Sequence, residues 1–324
     1  MVSPFTRREA LHVVVRLEQG ISPEQQVRIR AASPEAEVVF VRGEDELAAA
    51  LPDAHVIGGT LPRQLFPLAR RVRWIHNFAA GAEPLLYSEL RDANVMLTTS
   101  KGAHATPISE HCLMLMLMFA HRMPEFGRQQ HEGRWERVFI NELSGKTVAI
   151  IGLGNIGREL ARKCQVGFGM RVVGTARTLR ETAHVDRLYA AAELHAMLAE
   201  SDFVCMLLPG TPETRGIIGE AELRAMKSTA YLVNCGRGVH VVASALEQAL
   251  REGWIAGAAL DATDPEPLPP DSPLRQMPNV IITPHLAGLT WGTRDRGADR
   301  FCANLRHLLR DEPLEGLVDR IAGY

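Results

Sequence analysis

Short runs of Val, Ile and Leu alternate with longer segments rich in Glu, Arg and Ala along the whole chain. Such apolar runs, too short for buried helices and separated by helix-like stretches, are the pattern of parallel sheets built from βαβ units, whose strands are covered on both faces. An α/β fold is therefore expected. In the N-terminal third, strands are predicted at 12–17 (HVVVRL), 38–41 (VVFV), 55–59 (HVIGG), 73–77 (RWIHN) and 94–99 (NVMLTT). A helix is predicted from Thr106 to His121, with Pro107 at its start, where a missing amide hydrogen costs nothing. It is apolar nearly all round, so both of its faces should be covered. The stretch 122–146 is polar with little periodicity and reads as an extended arm.

A more regular series follows. Strands are predicted at 147–151, 171–174, 202–207, 230–235, 256–261 and 279–283, and helices from about Asn155, near 219–227, over 243–252 and from Gly292 to Leu309. The proline-rich 264–273 (DPEPLPPDSP) must be a loop, because proline lacks the N–H and fixes φ.

Composition narrows the class. At roughly 150 residues per domain, 324 residues predict two domains and a cleft between them. With 46% hydrophobic and 23% charged residues the chain is neither disordered nor fibrous. Lys+Arg 36 against Asp+Glu 38 leaves a net charge of -2, without the basic excess that nucleic-acid binding leaves in a composition, so no nucleic-acid partner is expected. Cys112, Cys164, Cys205, Cys235 and Cys302 show no CxxC or Cys/His spacing, which predicts a reduced, cytoplasmic chain without a metal site. No secretion signal is expected, since acidic Glu9 follows Arg7 and Arg8 and the apolar stretch after them is too short. The most apolar segment, 112–120, is shorter than the about 20 residues that a membrane helix needs, so no membrane association is expected.

The strongest local signal is Gly152-Leu153-Gly154-Asn155-Ile156-Gly157, a G-x-G-x-x-G directly after an apolar strand and at the start of a helix. The first glycine permits a tight turn, the second lets backbone approach a pyrophosphate, and the third packs helix on strand; amides near Asn155 and Ile156 then meet the phosphate. A nearby SGKT (144–147) imitates a P-loop, but Ile140 stands where that motif needs glycine, and the string precedes a strand instead of following one. Sites selective for NAD carry an acidic residue about 20 positions after the glycines. Here Ala176 occupies that region with Arg177 beside it and Arg180 nearby, a combination that removes repulsion against a 2′-phosphate and adds a cation to pair with it. NADP is the cofactor expected, with NAD as the alternative.

Three further segments end strands of the same half: NCGRG (234–238), LDATDPEP (260–267) and TPHLAG (283–288). Open α/β sheets place ligands at strand carboxyl ends, and these segments supply Arg237, Glu266 and His285. Each of these residues is chemically capable. Imidazole is the side chain suited to proton exchange near neutrality, a bonded carboxylate favours its charged form, and a guanidinium grips a carboxylate bidentately.

In the order and spacing of GLGNIG, LLPGTPETRGIIG (207–219), NCGRG, LDATDPEP and TPHLAG, the chain resembles the D-isomer-specific 2-hydroxyacid dehydrogenases over almost its full length. The resemblance implies Arg237 as the binder of substrate carboxylate and carbonyl, His285 as acid/base and Glu266 as its partner. It further implies cofactor contacts at Leu208, Pro209, Thr214, Cys235, Gly236 and Asp261, and a carboxylate-receiving loop at Ala80 and Gly81 within NFAAG (77–81). Gly81-Ala82-Glu83 and LDAT depart from strings common in relatives, which bears on the substrate side chain and not on the reaction.

The same resemblance implies an architecture: a Rossmann cofactor domain, 105–286, inserted into a flavodoxin-like substrate domain, 1–104 completed by 287–324, with the 122–146 arm mediating a homodimer. The activity it implies is NADPH-dependent reduction of a small 2-oxo acid of the glyoxylate or hydroxypyruvate type. The alternatives are a reductase of a bulkier 2-oxo acid such as phenylpyruvate, and a dinucleotide-sensing binding protein on the same fold.

Overall fold

A computed structural model describes residues 10–17, 20–175 and 180–320. Two compact units divide the chain: Met1–His104 with Leu289–Tyr324, and Ala105–Gly288.

The first unit holds five parallel strands, β1 (His12–Arg16), β2 (Glu37–Val41), β3 (Val56–Gly58), β4 (Trp74–Asn77) and β5 (Met96–Thr99), in the order β2-β1-β3-β4-β5. This is the flavodoxin-like order. Strand alternation sorts its side chains onto two faces. Val14, Ile57, Ile75 and Leu97 pack with Leu47 of α2 (Gly43–Ala50), with Leu51 just after it, and with Leu90 of α3 (Ser88–Asp92). On the other face, Val13, Val15, Val56 and Trp74 meet Ile29 of α1 (Pro23–Ala32) and Phe301, Cys302 and Leu305 of the last helix, Trp291–Leu309. Local sequence starts α1: Ser22 caps the Gln25 amide, the Gln25 side chain returns a bond to the Ser22 amide, and Pro23 takes the first position.

The second unit holds seven parallel strands: β6 (Thr147–Ile151), β7 (Arg171–Thr175), β8 (Arg187–Tyr189), β9 (Phe203–Met206), β10 (Tyr231–Asn234), β11 (Gly257–Leu260) and β12 (Val280–Ile282). Their order is β12-β11-β10-β9-β6-β7-β8, the Rossmann arrangement with one added strand. One face is covered by α4 (Ala105–Ala120), through Cys112, Leu115, Met116 and Phe119, and by Leu160 and Ala161 of α6 (Asn155–Arg162). The other carries α7 (Leu194–Glu200), α8 (Glu220–Ala225) and α9 (Ala243–Glu252) through Met197, Leu198, Leu223 and Leu246. The near-continuous apolar runs of the sequence are explained by this double burial. With the last helix as α10, both units are α/β over the described residues.

Strand ends are shorter by a residue or two than the apolar runs suggest, as in β3 and β5. The region read as a wholly extended arm contains a helix, α5 (Met123–His131). Pro124 in its first turn and an Arg122–Glu125 ion pair at 2.7 Å favour it, while Gly127 and its polar side chains leave too little apolar stripe for periodicity to register. The edge strand β8 and the helix α7 carry no signal in the sequence reading; β8 has three residues, one of them buried.

Within the first unit, His76 is fully buried between the Thr98 and Ser100 hydroxyls, at 2.8 and 3.1 Å, and burial pushes its imidazole down to about 3. In the unfolded chain the ring binds a proton at about pH 6.5, so the unfolded state holds the extra proton between these values and stability falls as pH falls through that window. Urea denaturation of wild type and His76→Gln between pH 6.5 and 4 is expected to show the variant's slope flatter by up to about 1.4 kcal/mol per pH unit; equal slopes would contradict this.

Candidate active site

In the second sheet the chain starts at β6, builds outward to β7 and β8, and then returns to lay β9 on the other side of β6. Connections leaving β6 and β9 therefore diverge, and the carboxyl ends of these strands form the switch-point crevice where such sheets bind ligands. The glycine turn 152–157 follows β6 and the segment 207–214 follows β9, with the Leu207 amide donating to the Ile151 carbonyl at 2.9 Å.

The glycines of the turn are required by space. Gly152 has φ 108, and a Cβ there would lie 2.8 Å from the Leu207 carbonyl oxygen; one on Gly157 would lie 2.1 Å from the Gly152 oxygen. A side chain at Gly154 would meet nothing within 4 Å, so the turn presents open backbone, and no side chain caps the helix that begins at Asn155. Uncapped amides at a helix start beside exposed glycine backbone suit a pyrophosphate, and these residues fit a dinucleotide. Ala176 and Arg177 lie outside the described residues, whereas Arg180 is exposed.

The 207–214 segment is folded on itself: the Thr214 hydroxyl donates to the Pro209 carbonyl at 2.8 Å and accepts from the Thr211 amide at 2.9 Å. One strand further, the Asn234 side chain donates to the Arg237 carbonyl at 2.9 Å and accepts from the Gly236 amide at 3.1 Å, shaping the turn that carries Arg237. A Cβ at Gly238 would lie 1.9 Å from the Thr263 carbonyl carbon, so this turn packs directly on the loop after β11. Cys235 is buried, and the Cys112 thiol together with burial holds its thiol well above the ordinary range, which makes it an inert group.

Arg237, Glu266 and His285 follow the adjacent strands β10, β11 and β12. Glu266 and His285 meet directly, Nδ1 to Oε1 at 2.7 Å, with both side chains about half exposed. His285 has φ 51, in the left-handed region that non-glycine residues rarely occupy. Asp261 holds it there. The Asp261 carbonyl accepts from the His285 amide at 2.9 Å, and its carboxylate accepts from the Thr283 hydroxyl at 2.6 Å and from the Leu286 and Ala287 amides at 3.0 and 3.1 Å. Residues on both sides of His285 are thus tied to one carboxylate that is 3% exposed.

Because the Thr283 hydroxyl gives its proton to Asp261, it accepts from His111 of α4, whose Nε2 lies 3.1 Å away. Burial pushes the His111 ring down, against the opposing pull of Asp261 at 3.6 Å. Sequence reading missed Asn234, His111 and Thr283 as parts of this arrangement. Thr283 stood beside the recognised histidine, but a single His within an apolar helix gives no signal of its partner.

In the first unit, the loop after β4 is shaped by buried Asn77, whose side chain donates to the Gly81 carbonyl at 2.7 Å and accepts from the Ala79 amide at 3.2 Å. Among the described residues, no intramolecular hydrogen bond engages the amides of Ala80 and Gly81.

The family model for the NAD-binding domain of D-isomer specific 2-hydroxyacid dehydrogenases matches residues 113–287. The chain is 34% identical over 297 residues to the glyoxylate reductase of Korarchaeum cryptofilum, spanning 89% of this chain and 87% of that one. It is 35% identical over 269 residues to glyoxylate/hydroxypyruvate reductase B of Pectobacterium carotovorum, spanning 81% and 83%. Among solved structures, a D-isomer specific 2-hydroxyacid dehydrogenase from Xanthobacter autotrophicus Py2, in complex with NADPH and MES, superposes with a TM-score of 0.86 at 30% identity, over 98% of this chain and 100% of that one. The two-domain fold, the phosphate-type turn and these matches place the chain in the D-isomer specific 2-hydroxyacid dehydrogenase family, a family of NAD(P)-dependent oxidoreductases.

Thr283→Val removes the donor to Asp261 and the acceptor for His111 while keeping side-chain volume. It is expected to cost about 1–3 kcal/mol in urea denaturation; a loss below about 0.5 kcal/mol would show that the buried polar chain adds no stability.

Proposed function

We propose that the chain reduces a small 2-oxo acid of the glyoxylate or hydroxypyruvate kind to the D-2-hydroxy acid, using NADPH. The observation that carries the proposal is the Nδ1 to Oε1 bond of 2.7 Å between His285 and Glu266, at the carboxyl end of a sheet that also presents a dinucleotide turn. When bound, the reduced nicotinamide supplies a hydride to the substrate's carbonyl carbon. His285 acts as the acid: with Nδ1–H held by Glu266, Nε2 gives its proton to the developing alkoxide, and the ring stays oriented afterwards by the same carboxylate. Arg237 grips the substrate carboxylate and polarises its carbonyl, and the open amides of Ala80 and Gly81 receive the carboxylate.

Cofactor contacts are assigned to Gly152, Gly154, Asn155, Ile156 and Gly157 at the pyrophosphate, to Leu208, Pro209 and Thr214 in the next loop, and to Cys235, Gly236 and Asp261 near the nicotinamide. A carboxylate has about four acceptor sites, so Asp261 can serve the cofactor while holding the His285 segment. The preference for NADPH rests on Ala176 and Arg177. It is supported by the NADPH-dependent glyoxylate/hydroxypyruvate reductase of Sinorhizobium meliloti, solved with NADP, which superposes at a TM-score of 0.84 and 28% identity over 98% of this chain and 100% of that one.

We further propose a homodimer joined through the 122–146 arm, where Trp135 and Phe139 are 94% and 100% exposed. No helix among the described residues is long and apolar enough to cross a membrane. Five free, buried cysteines suit a reducing cytoplasm.

Oxidation of NADPH and NADH is followed with glyoxylate, hydroxypyruvate, pyruvate and phenylpyruvate. Fastest turnover is expected with NADPH and one of the first two acids, and His285→Ala is expected to lower kcat by about 10²–10⁴. Turnover of none of the acids sinks the proposal, and preference for NADH sinks the role of Arg177. For the dimer, Trp135→Glu with Phe139→Glu is expected to halve the mass measured by light scattering; an unchanged dimer mass assigns the interface elsewhere.

A further inference from the structure

His240 is not part of the machinery described above, yet it touches two of its loops. It is wholly buried in the short turn Gly238–His240 that follows Arg237. Its backbone is fixed from the side by the segment before α8, since the Ile218 amide donates to the His240 carbonyl at 3.0 Å and the Gly216 amide to the Val239 carbonyl at 2.8 Å. The ring is therefore presented in one place and makes two bonds. Its Nδ1 lies 3.2 Å from the Arg237 amide, which is a donor, so Nδ1 is an acceptor and the ring proton sits on Nε2. Nε2 lies 3.0 Å from the Pro209 carbonyl and donates to it.

The Pro209 carbonyl thus takes donors from both His240 and Thr214. The two bonds of His240 also need the neutral ring, because a proton on Nδ1 would face the Arg237 N–H. Burial pushes the imidazole down, with nearby Arg237 adding to the effect against the Pro209 bond, and so favours that form.

We propose that His240 is a positioning residue that ties the loop after β9 to the backbone of Arg237, so that the segment touching the cofactor and the cation gripping the substrate keep a fixed relation. Arg237 then has both backbone polar groups held, the amide by His240 and the carbonyl by Asn234. Its guanidinium starts from a constrained backbone, which is how a long side chain reaches a substrate without a large entropic cost. The proposal deepens the roles given above to Arg237 and to the 207–214 segment and rests on them.

The two bonds can be separated by isosteric amides. In His240→Asn, the side-chain oxygen replaces Nδ1 and keeps the Arg237 bond; in His240→Gln, the side-chain nitrogen replaces Nε2 and keeps the Pro209 bond; His240→Leu keeps neither. Three quantities are measured on the full chain: kcat and KM for glyoxylate with saturating NADPH, NADPH affinity from its own fluorescence, and hydrogen exchange at the Arg237 amide.

His240→Leu is expected to lose about 10–100-fold in kcat/KM for glyoxylate, to bind NADPH about 3–10-fold more weakly, and to exchange the Arg237 amide about tenfold faster. The Asn variant should recover the exchange rate and most of kcat/KM, and the Gln variant the NADPH affinity alone. A merely structural histidine would give Asn and Gln variants with the same partial loss in all three measurements, and that result overturns the proposal. So does an Arg237 amide exchanging in His240→Leu at the wild-type rate. If His240→Leu does not fold, the Asn and Gln variants still decide by their contrast. Arg237→Met separates the two readings: full activity in that variant rejects the role of Arg237 in binding substrate, while the exchange measurement continues to judge His240 on its own.

Discussion

One buried carboxylate organises the reactive end of the second sheet. Asp261 leaves β11 with almost no exposure, and its charge can stay inside the protein only if hydrogen-bond donors surround it. Those donors are the Thr283 hydroxyl and the amides of Leu286 and Ala287, so the demand of the buried charge is met by wrapping the chain after β12 around it. His285 lies between these donors and takes a left-handed backbone conformation as the consequence. Removing the charge or its donors would relax that conformation, and the imidazole would lose its fixed approach to Glu266.

Around this centre, three strands of the sheet, β6, β9 and β10, each contribute one loop whose shape is set by a short-range constraint. After β6 the constraint is steric, since Gly152 and Gly157 are pressed against neighbouring backbone. After β9 it is the Thr214 hydroxyl turning back to Pro209, and after β10 it is the Asn234 amide bridging its own turn. Rigid strands with locally closed loops give a site whose parts hold their geometry before substrate arrives.

Much of this was legible in the sequence because it is written in local patterns. Doubly buried parallel strands appear as apolar runs, the glycine turn keeps its spacing, and Arg237, Glu266 and His285 each stand just past a strand end. What was not legible depends on contacts between distant segments. His111 is one histidine in an apolar helix, and only the fold brings it to Thr283. His240 sits three positions after Arg237 in an unremarkable turn, and its link to Pro209 is a contact between two separate crossovers. The helix α5 was hidden by its polar composition, and β8 by its brevity. Sequence reported the residues proposed for the chemistry better than those that hold them.

The central claim is that this site moves hydride to carbon 2 of a 2-oxo acid and protonates the neighbouring oxygen. Hydroxypyruvate can be reduced by the protein with NADPH carrying deuterium at both C4 positions, and the product examined for configuration and label by chiral chromatography with mass spectrometry. The account predicts D-glycerate with one deuterium, on carbon 2. Unlabelled product, the L-isomer, or no reduced product would contradict it.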